Sequence, residues 1–301
     1  MLFMSSLLYR QTKDRRHRWT CGQVPQEVQP LIQYSPLCSC MASLVEMLKR
    51  APLCGAFLLF SPLLPSLSQA VSCSPCSTDL LPVASIHDGD TLRLRDGRRL
   101  RLIGVNTPEL GQGSANEPHA LQAKHQLEGL VKRSGGLVSI CMGSEEQDRY
   151  GRFLAHLYDR HGESINRQLL MQGAGYLIAV PPNLRNHGCY EDAEREARKE
   201  NKGVWRLPMK DASGLSGVET GFHILTGYIV RVGQSRSGVW LNLDGGLALR
   251  ITWDDWRRFN IDDSDSLLET ELEVRGWIYH RDGKQRMRVR HTSSIRWLGG
   301  E

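Results

Sequence analysis

The chain has 301 residues, with 38 Lys and Arg against 33 Asp and Glu, a formal charge of +5, 40% hydrophobic and 24% charged residues. At roughly 150 residues per domain this length suggests about two domains. The composition excludes a polytopic membrane protein, a collagen-like chain and a wholly disordered one. The mild positive excess is compatible with a phosphate-bearing partner without pointing to one.

Residues 51–78 carry no charged side chain, and the run from Ala51 to Leu64 is strongly apolar. Lys49 and Arg50 precede it, and Ser68-Gln69-Ala70 follows with small residues two apart. A basic start, a short apolar run and a small-x-small site predict a secretory signal peptide over residues 47–70, cut after Ala70. Pro52, Pro62 and Pro65 interrupt a run already shorter than the ~20 residues of a spanning helix, so no stable membrane span is expected after processing. Residues 1–46 are basic and patternless. Their place upstream of a leader predicts that translation starts at Met47 or Met41, leaving them a non-native or disordered extension. Removal of the leader retains Cys73, Cys76, Cys141 and Cys189. An even count in an exported protein is compatible with two disulfides, and the pairing stays open. Cys73 and Cys76 form a C-x-x-C, but no second C-x-x-C and no strand–helix context follows. Structural pairing or inert thiols is preferred to a zinc or redox site. Residues 71–79 read as a linker.

From Leu81 the pattern changes. Val83 to His87 reads as a strand, Asp88-Gly89-Asp90 as a tight turn, and Thr91 to Arg95 as an alternating strand. Asp96-Gly97 is a hairpin signal, and Arg98 to Val105 returns as a strand that Pro108 ends. His119 to Val131 reads as a helix, Gly136 to Cys141 and Phe153 to Tyr158 as strands, and Asp148 to Arg152 as a turn. Ser164 to Gln172 reads as a short helix. A last helix from Tyr190 to Asn201 alternates charges, which predicts a solvated face. Five short strands with about three helices predict an α+β fold built on a five-stranded OB-type barrel over residues 80–208.

Three segments carry chemistry-bearing residues in order: Asp88-Gly-Asp-Thr91, Arg101-Leu-Ile-Gly-Val-Asn-Thr-Pro-Glu109 and Asp148-Arg-Tyr-Gly-Arg152. Hydrolysis of a phosphodiester needs a water nucleophile, a base, and positive charge on the non-bridging oxygens. Asp90, Asn106 and the Thr107 carbonyl offer hard oxygen ligands suited to Ca²⁺. Glu109 is placed to take a proton from water, and Arg101 and Arg152 offer planar forks for phosphate oxygens. Taken singly, each residue also fits a bland role as turn former, strand terminator or surface charge. Together the segments resemble the active-site segments of the staphylococcal nuclease family, as do Gln172-Gly173 and Gly203-Val204-Trp205. The resemblance implies Asp90, Asn106 and Thr107 as calcium ligands, Glu109 as general base, and Arg101 and Arg152 as phosphate-binding arginines. It further implies Asp88 as a carboxylate supporting the metal site, and Arg149 and Tyr150 as contacts to a terminal phosphate. It implies endonucleolytic cleavage of DNA or RNA with 3′-phosphate ends. Two departures stand out. Asn106 replaces the family's usual second calcium aspartate, so Ca²⁺ binding is expected to weaken. Ala179 and Pro181 fall near two tyrosines that flank the base pocket in the family, so base preference does not carry over. His87, His119, His156, His161 and His187 show no ligand spacing.

Residues 209–220 read as a linker. Beyond it, Thr226 to Val232, Val239 to Leu243, Leu247 to Thr252, Leu272 to Tyr279 and Gln285 to Arg290 read as five strands. They predict a second small β-barrel over residues 221–301, with an OB-like topology as the candidate. Arg286, Arg288 and Arg290 share one strand face by period two. With Trp277, Tyr279 and Trp297 they are a candidate nucleic-acid surface, set against a solvated arginine face over a core that uses the tryptophans. The expectation from the whole sequence is an exported, monomeric, Ca²⁺-dependent nuclease acting on DNA or RNA by metal-assisted water attack. The alternatives are a non-catalytic nucleic-acid-binding module and a structural envelope protein.

Overall fold

A computed structural model describes residues 73–111 and 115–299 of the chain. The upstream extension, the start at Met41 or Met47, and the leader cut after Ala70 lie outside the described residues. Among the described residues no helix is long and apolar enough to cross a membrane.

The alternating pattern after Leu81 folds as expected. Strands β1 (Leu81–Ile86), β2 (Thr91–Leu94), β3 (Arg99–Leu102), β5 (Leu137–Gln147) and β6 (Phe153–Tyr158) close a barrel in the order β1-β2-β3-β6-β5. Leu92, Leu94, Leu100 and Leu102 point into its core while Arg93 and Arg99 face out, as period two requires. Helix α1 (Ala120–Arg133) buries Ala120, Ala123, Leu127, Leu130 and Val131 at helical spacing. Helix α2 (Ile165–Met171) is capped by the Ser164 hydroxyl, which accepts from the Arg167 N–H. β5 runs six residues beyond its expected end at Cys141. Its extension is held from a distance, because Asn183 accepts from the Glu145 N–H and donates to the Glu145 carbonyl, each at 2.9 Å.

The cysteines pair as Cys73–Cys189 and Cys76–Cys141. The C-x-x-C is therefore split between two bridges. One ties the entry segment to helix α3 (His187–Lys199) and the other ties it to β5, so residues 73–76 are stapled to the barrel rather than forming a free linker.

The second half is also a barrel. It comprises β8 (Lys210–Asp211), β9 (Gly221–Ser235), β10 (Gly238–Leu243), β11 (Ala248–Ile251), helix α4 (Trp253–Trp256), β12 (Glu271–Arg281), β13 (Lys284–Val289) and β14 (Ile295–Trp297). β12 pairs with β9 as well as with β13, which closes a five-strand ring β9-β10-β11-β13-β12. Its core of Leu225, Ile229, Val239, Leu241, Leu249, Val274 and Met287 is separate from that of the first barrel. The stretch read as a linker is partly structure: Lys210 and Asp211 pair in parallel with β9, and Ala212 is fully buried. Trp297, opposite Leu272 on β14, packs on this core, as the alternative of a core that uses the tryptophans has it.

The charged face of α3 is a second correction, because it is not simply solvated. β12 brings Glu273 and Arg275 against it. Arg198 pairs with Glu273, and Arg275 donates to Glu194 at 2.6 Å and to the Leu177 carbonyl at 3.2 Å. Arg296 adds a third guanidinium to Glu273 at 2.7 Å. Beside this network Tyr176 meets Trp205 edge-on at 5.3 Å and lies against Phe222 at 5.7 Å. Burial by itself raises the Glu273 carboxyl, but hydrogen bonds from Arg198 and Arg296 and the nearby arginine charges outweigh it and hold it at about 2. A depressed folded-state value contributes stability above the ordinary value of 4.5, lost as pH falls from there toward about 2. The shift corresponds to about 3 kcal/mol. Thermal melts between pH 7 and pH 3 should show this loss, and Glu273→Gln should flatten the profile; an unchanged profile in the variant would refute the assignment.

Candidate active site

The site grows from the turn between β1 and β2. Asp88 accepts the Asp90 N–H at 3.0 Å, closing the turn through its own side chain. Gly89 between them is required by contact: a Cβ there would lie 2.6 Å from the Ala123 Cβ and 2.8 Å from Thr107 side-chain atoms. This close approach sets Asp90 against the chain after β4 (Val105–Asn106). Asp90 is buried; its Oδ2 accepts the Thr107 N–H at 2.8 Å and the Thr107 hydroxyl at 3.1 Å, and its Oδ1 accepts the Thr91 hydroxyl at 3.1 Å.

Arg101 leaves β3 into the same cluster. Its Nη1 lies 3.0 Å from the Asp90 carboxylate and donates to the Val105 carbonyl at 2.7 Å, while Nη2 donates to Asn106 Oδ1 at 2.9 Å. One planar fork therefore ties the turn aspartate to the end of β4. From the other side β4 pairs with β7 (Tyr176–Leu177) in the register Asn106 opposite Tyr176. Gly175 permits this approach, since a Cβ there would lie 2.4 Å from the Asn106 carbonyl oxygen.

Glu109 is exposed on the rim of this cluster, and its N–H is held by Glu117 Oε2 at 2.8 Å. Partial burial and the Asp88 and Glu117 carboxylates raise its carboxyl, while Arg101 and Arg152 draw it down. Glu109 is thus within electrostatic reach of both arginines. Arg152 is aimed by Asp148, which accepts its Nε at 2.7 Å and also closes the turn through the Tyr150 and Arg152 N–H groups. Tyr150, 63% exposed, has the Arg149 guanidinium 4.8 Å and the Arg152 guanidinium 5.5 Å from its ring centroid.

Asp88, Asp90, Arg101, Asn106 and Thr107 are therefore one buried cluster, with Glu109 and Arg152 at its edge and Arg149 and Tyr150 further out on the turn. Arg286, Arg288 and Arg290 lie on the second barrel and belong to no part of it. The donor set fits a hard cation: one carboxylate, one amide oxygen and the Thr107 carbonyl, on which no hydrogen bond from the described residues ends. Burial and the neighbouring Asp88 and Glu109 carboxylates also push Asp90 up, a crowding that a divalent ion would relieve. Among the described residues no three His, Cys, Asp or Glu side chains converge as a metal cluster, and of the three candidate ligands only Asp90 is a carboxylate.

The model of the staphylococcal nuclease homologue family matches residues 99–207. The "Thermonuclease" of Staphylococcus hyicus is 31% identical over 129 residues, which cover 41% of this chain and 73% of that protein. The chain is a member of the staphylococcal nuclease family. The "Succinoglycan biosynthesis protein ExoI" of Rhizobium meliloti is 30% identical over 134 residues, 43% of this chain and 66% of that protein. The "Endonuclease YhcR" of Bacillus subtilis is 26% identical over 134 residues, 41% of this chain but 11% of that much longer protein. The chain thus spans less than two thirds of these last two relatives. The family match ends at Trp205-Arg206-Leu207, before the second barrel begins.

Three positions of this family member escape the sequence. Asp148 is visible as a turn residue, but its grip on Arg152 is not. Glu117 reaches Glu109 across a loop without a pattern. Gly175 carries no signal beyond its identity, because the backbone it accommodates is nearly seventy residues away.

Proposed function

We propose that the chain is an exported Ca²⁺-dependent nuclease that hydrolyses phosphodiester bonds of DNA or RNA and leaves 3′-phosphate ends. The observation that carries this reading is the buried cluster in which the Arg101 guanidinium joins Asp90 to Asn106 while Asp90 accepts from Thr107, with Glu109 two residues further on at its rim. Asp90, Asn106 and the Thr107 carbonyl would hold the cation, which supplies positive charge against the phosphate's non-bridging oxygens when bound. Glu109 takes a proton from the attacking water. Arg101 and Arg152 bear on the oxygens that gain charge as the phosphorus becomes five-coordinate. Asp148 keeps Arg152 extended toward them, and Glu117 fixes the backbone from which Glu109 projects. Two long-range disulfides support an oxidising destination, in keeping with the leader sequence.

Digestion of plasmid DNA and of RNA with Ca²⁺ and with EGTA tests the reading. Cleavage with Ca²⁺ alone supports it. Binding without cleavage would make the chain a binding module, and neither would make it structural. Phosphatase sensitivity of the 3′ ends checks the products, and N-terminal sequencing of protein from the culture medium or periplasm checks export.

Asn106 permits a further prediction. It already offers an oxygen to a guanidinium, so Asn106→Asp keeps the geometry and adds a charge. Ca²⁺ affinity should rise about tenfold, measured by calorimetry, because carboxylate count tunes such sites. An unchanged affinity would remove Asn106 from the ligand set.

A further inference from the structure

An aromatic ladder leads out of the site. Tyr176 sits opposite Asn106 in the β4–β7 pair. Its ring lies against Phe222 at 5.7 Å and 30°, and Phe222 meets Trp277 edge-on at 5.2 Å. Trp277 is 44% exposed. The register then continues across the outside of the second barrel. β12 pairs with β13 so that Tyr279 faces Arg286 and Ile278 faces Met287; Trp277 and Arg288 are the next residues along the two strands, one step beyond that paired stretch. Arg288 is opposite Arg250, and Arg250 is opposite Trp240. An aromatic ring, two guanidinium groups and a second aromatic ring thus form one row across four strands.

The groups in this row make only loose or surface contacts of their own. Inward-facing neighbours such as Met287, Leu249 and Leu241 fill the core, so the row is not needed to build it. Arg250 has no carboxylate partner among the described residues and stands 5.9 Å from the Trp240 ring centroid. The nearest acid to Arg288 is Asp255 at 3.8 Å. Arg286, by contrast, is taken up by Asp282 at 3.1 Å and by the Trp240 ring at 5.3 Å.

We propose that this row is a docking track for the single-stranded nucleic acid flanking the scissile bond. The exposed Trp277 ring and the half-buried Trp240 ring bracket two guanidinium groups, which offers stacking faces to the bases and cations to the phosphates of a strand. Stacking needs unpaired bases, so the track selects single strands over duplex. At about 4.8 Å between strands the row spans about 14 Å beyond the ladder, room for about four stacked nucleotides at about 3.4 Å each, the short end of the roughly 4–16 typical of one such barrel. The row rests on the nuclease reading for its direction, since it starts at the proposed cleavage site, but its binding is measurable without cleavage.

The test is fluorescence anisotropy on the mature chain in EDTA, with labelled oligothymidylates of about 4 and about 20 nucleotides. The long strand should bind more tightly than the short one, and more tightly than a duplex of equal length. Trp240→Ala and Arg288→Ala should each weaken the long strand several-fold, and together by about tenfold or more, collapsing the long-to-short ratio. Trp240 is remote from the contact between the barrels, so its variant remains informative if Trp277→Ala fails to fold. An unchanged ratio in the double variant, an equal loss on both lengths, or a preference for duplex would overturn the track. Intact length-dependent binding in a protein that cleaves nothing with Ca²⁺ would sink the nuclease reading and leave the track standing.

Discussion

Glu109→Gln should leave a folded protein whose turnover of DNA falls by about 10²–10⁴. Glu109 is exposed, and its tie to the rest of the loop runs through its backbone N–H to Glu117, which the substitution leaves in place. Thermal stability should therefore stay within about 0.5 kcal/mol of wild type, as for most surface changes. An amide keeps the shape of the side chain but cannot take a proton from water at neutral pH. The loss should fall on kcat if, as proposed, the residue acts on the nucleophile rather than on ground-state binding. Steady-state cleavage at saturating Ca²⁺, read beside a melting curve, separates the two effects. Wild-type turnover would refute the base assignment, and a large drop in melting temperature would recast Glu109 as structural.

Arg101→Met should damage both activity and fold. The guanidinium contacts Asp90, Asn106 and the Val105 carbonyl. Methionine matches much of its length but supplies none of these donors and leaves the buried Asp90 carboxylate without its counter-charge. Removing one partner of a buried pair typically costs about 3–5 kcal/mol. In catalysis, loss of one charge-stabilising donor typically lowers the rate about 10²–10³-fold. Arg101→Lys should recover part of the stability and little of the rate, since an ammonium cannot reach across both segments at once. Denaturant melts and cleavage assays on both variants check this. A methionine variant as stable as wild type would show that Asp90 finds another partner.

The first barrel is legible in the sequence because its signals are local. Alternating leucines in Thr91–Leu94 and Arg99–Leu102, the Asp-Gly turns, and the Ser164 cap each act within a few residues. The ordered motifs around Asp90, Arg101, Asn106 and Glu109 mark residues that the fold brings to one cluster. What the sequence hides is set by distant partners. Asn183 lengthens β5, Asp148 aims Arg152, and β12 turns Glu194 and Arg198 from solvent-facing charges into contacts between barrels. Short strands such as β8 and β14 exist because a neighbour offers hydrogen bonds, and two or three residues carry too little pattern to announce them. The pairing of the four cysteines is likewise a property of the tertiary structure.

The contact of Arg275 with β7 has a practical corollary. Leu177 gives its N–H to Glu194 and its carbonyl to Arg275, so the strand that braces Asn106 is gripped from the neighbouring barrel. Trimming the polypeptide after Pro208 would withdraw that grip, strand Glu194 without a counter-ion and open the Tyr176 and Trp205 rings to water. The family domain is therefore not portable as this chain presents it, and a minimised version would need its newly bared flank redesigned.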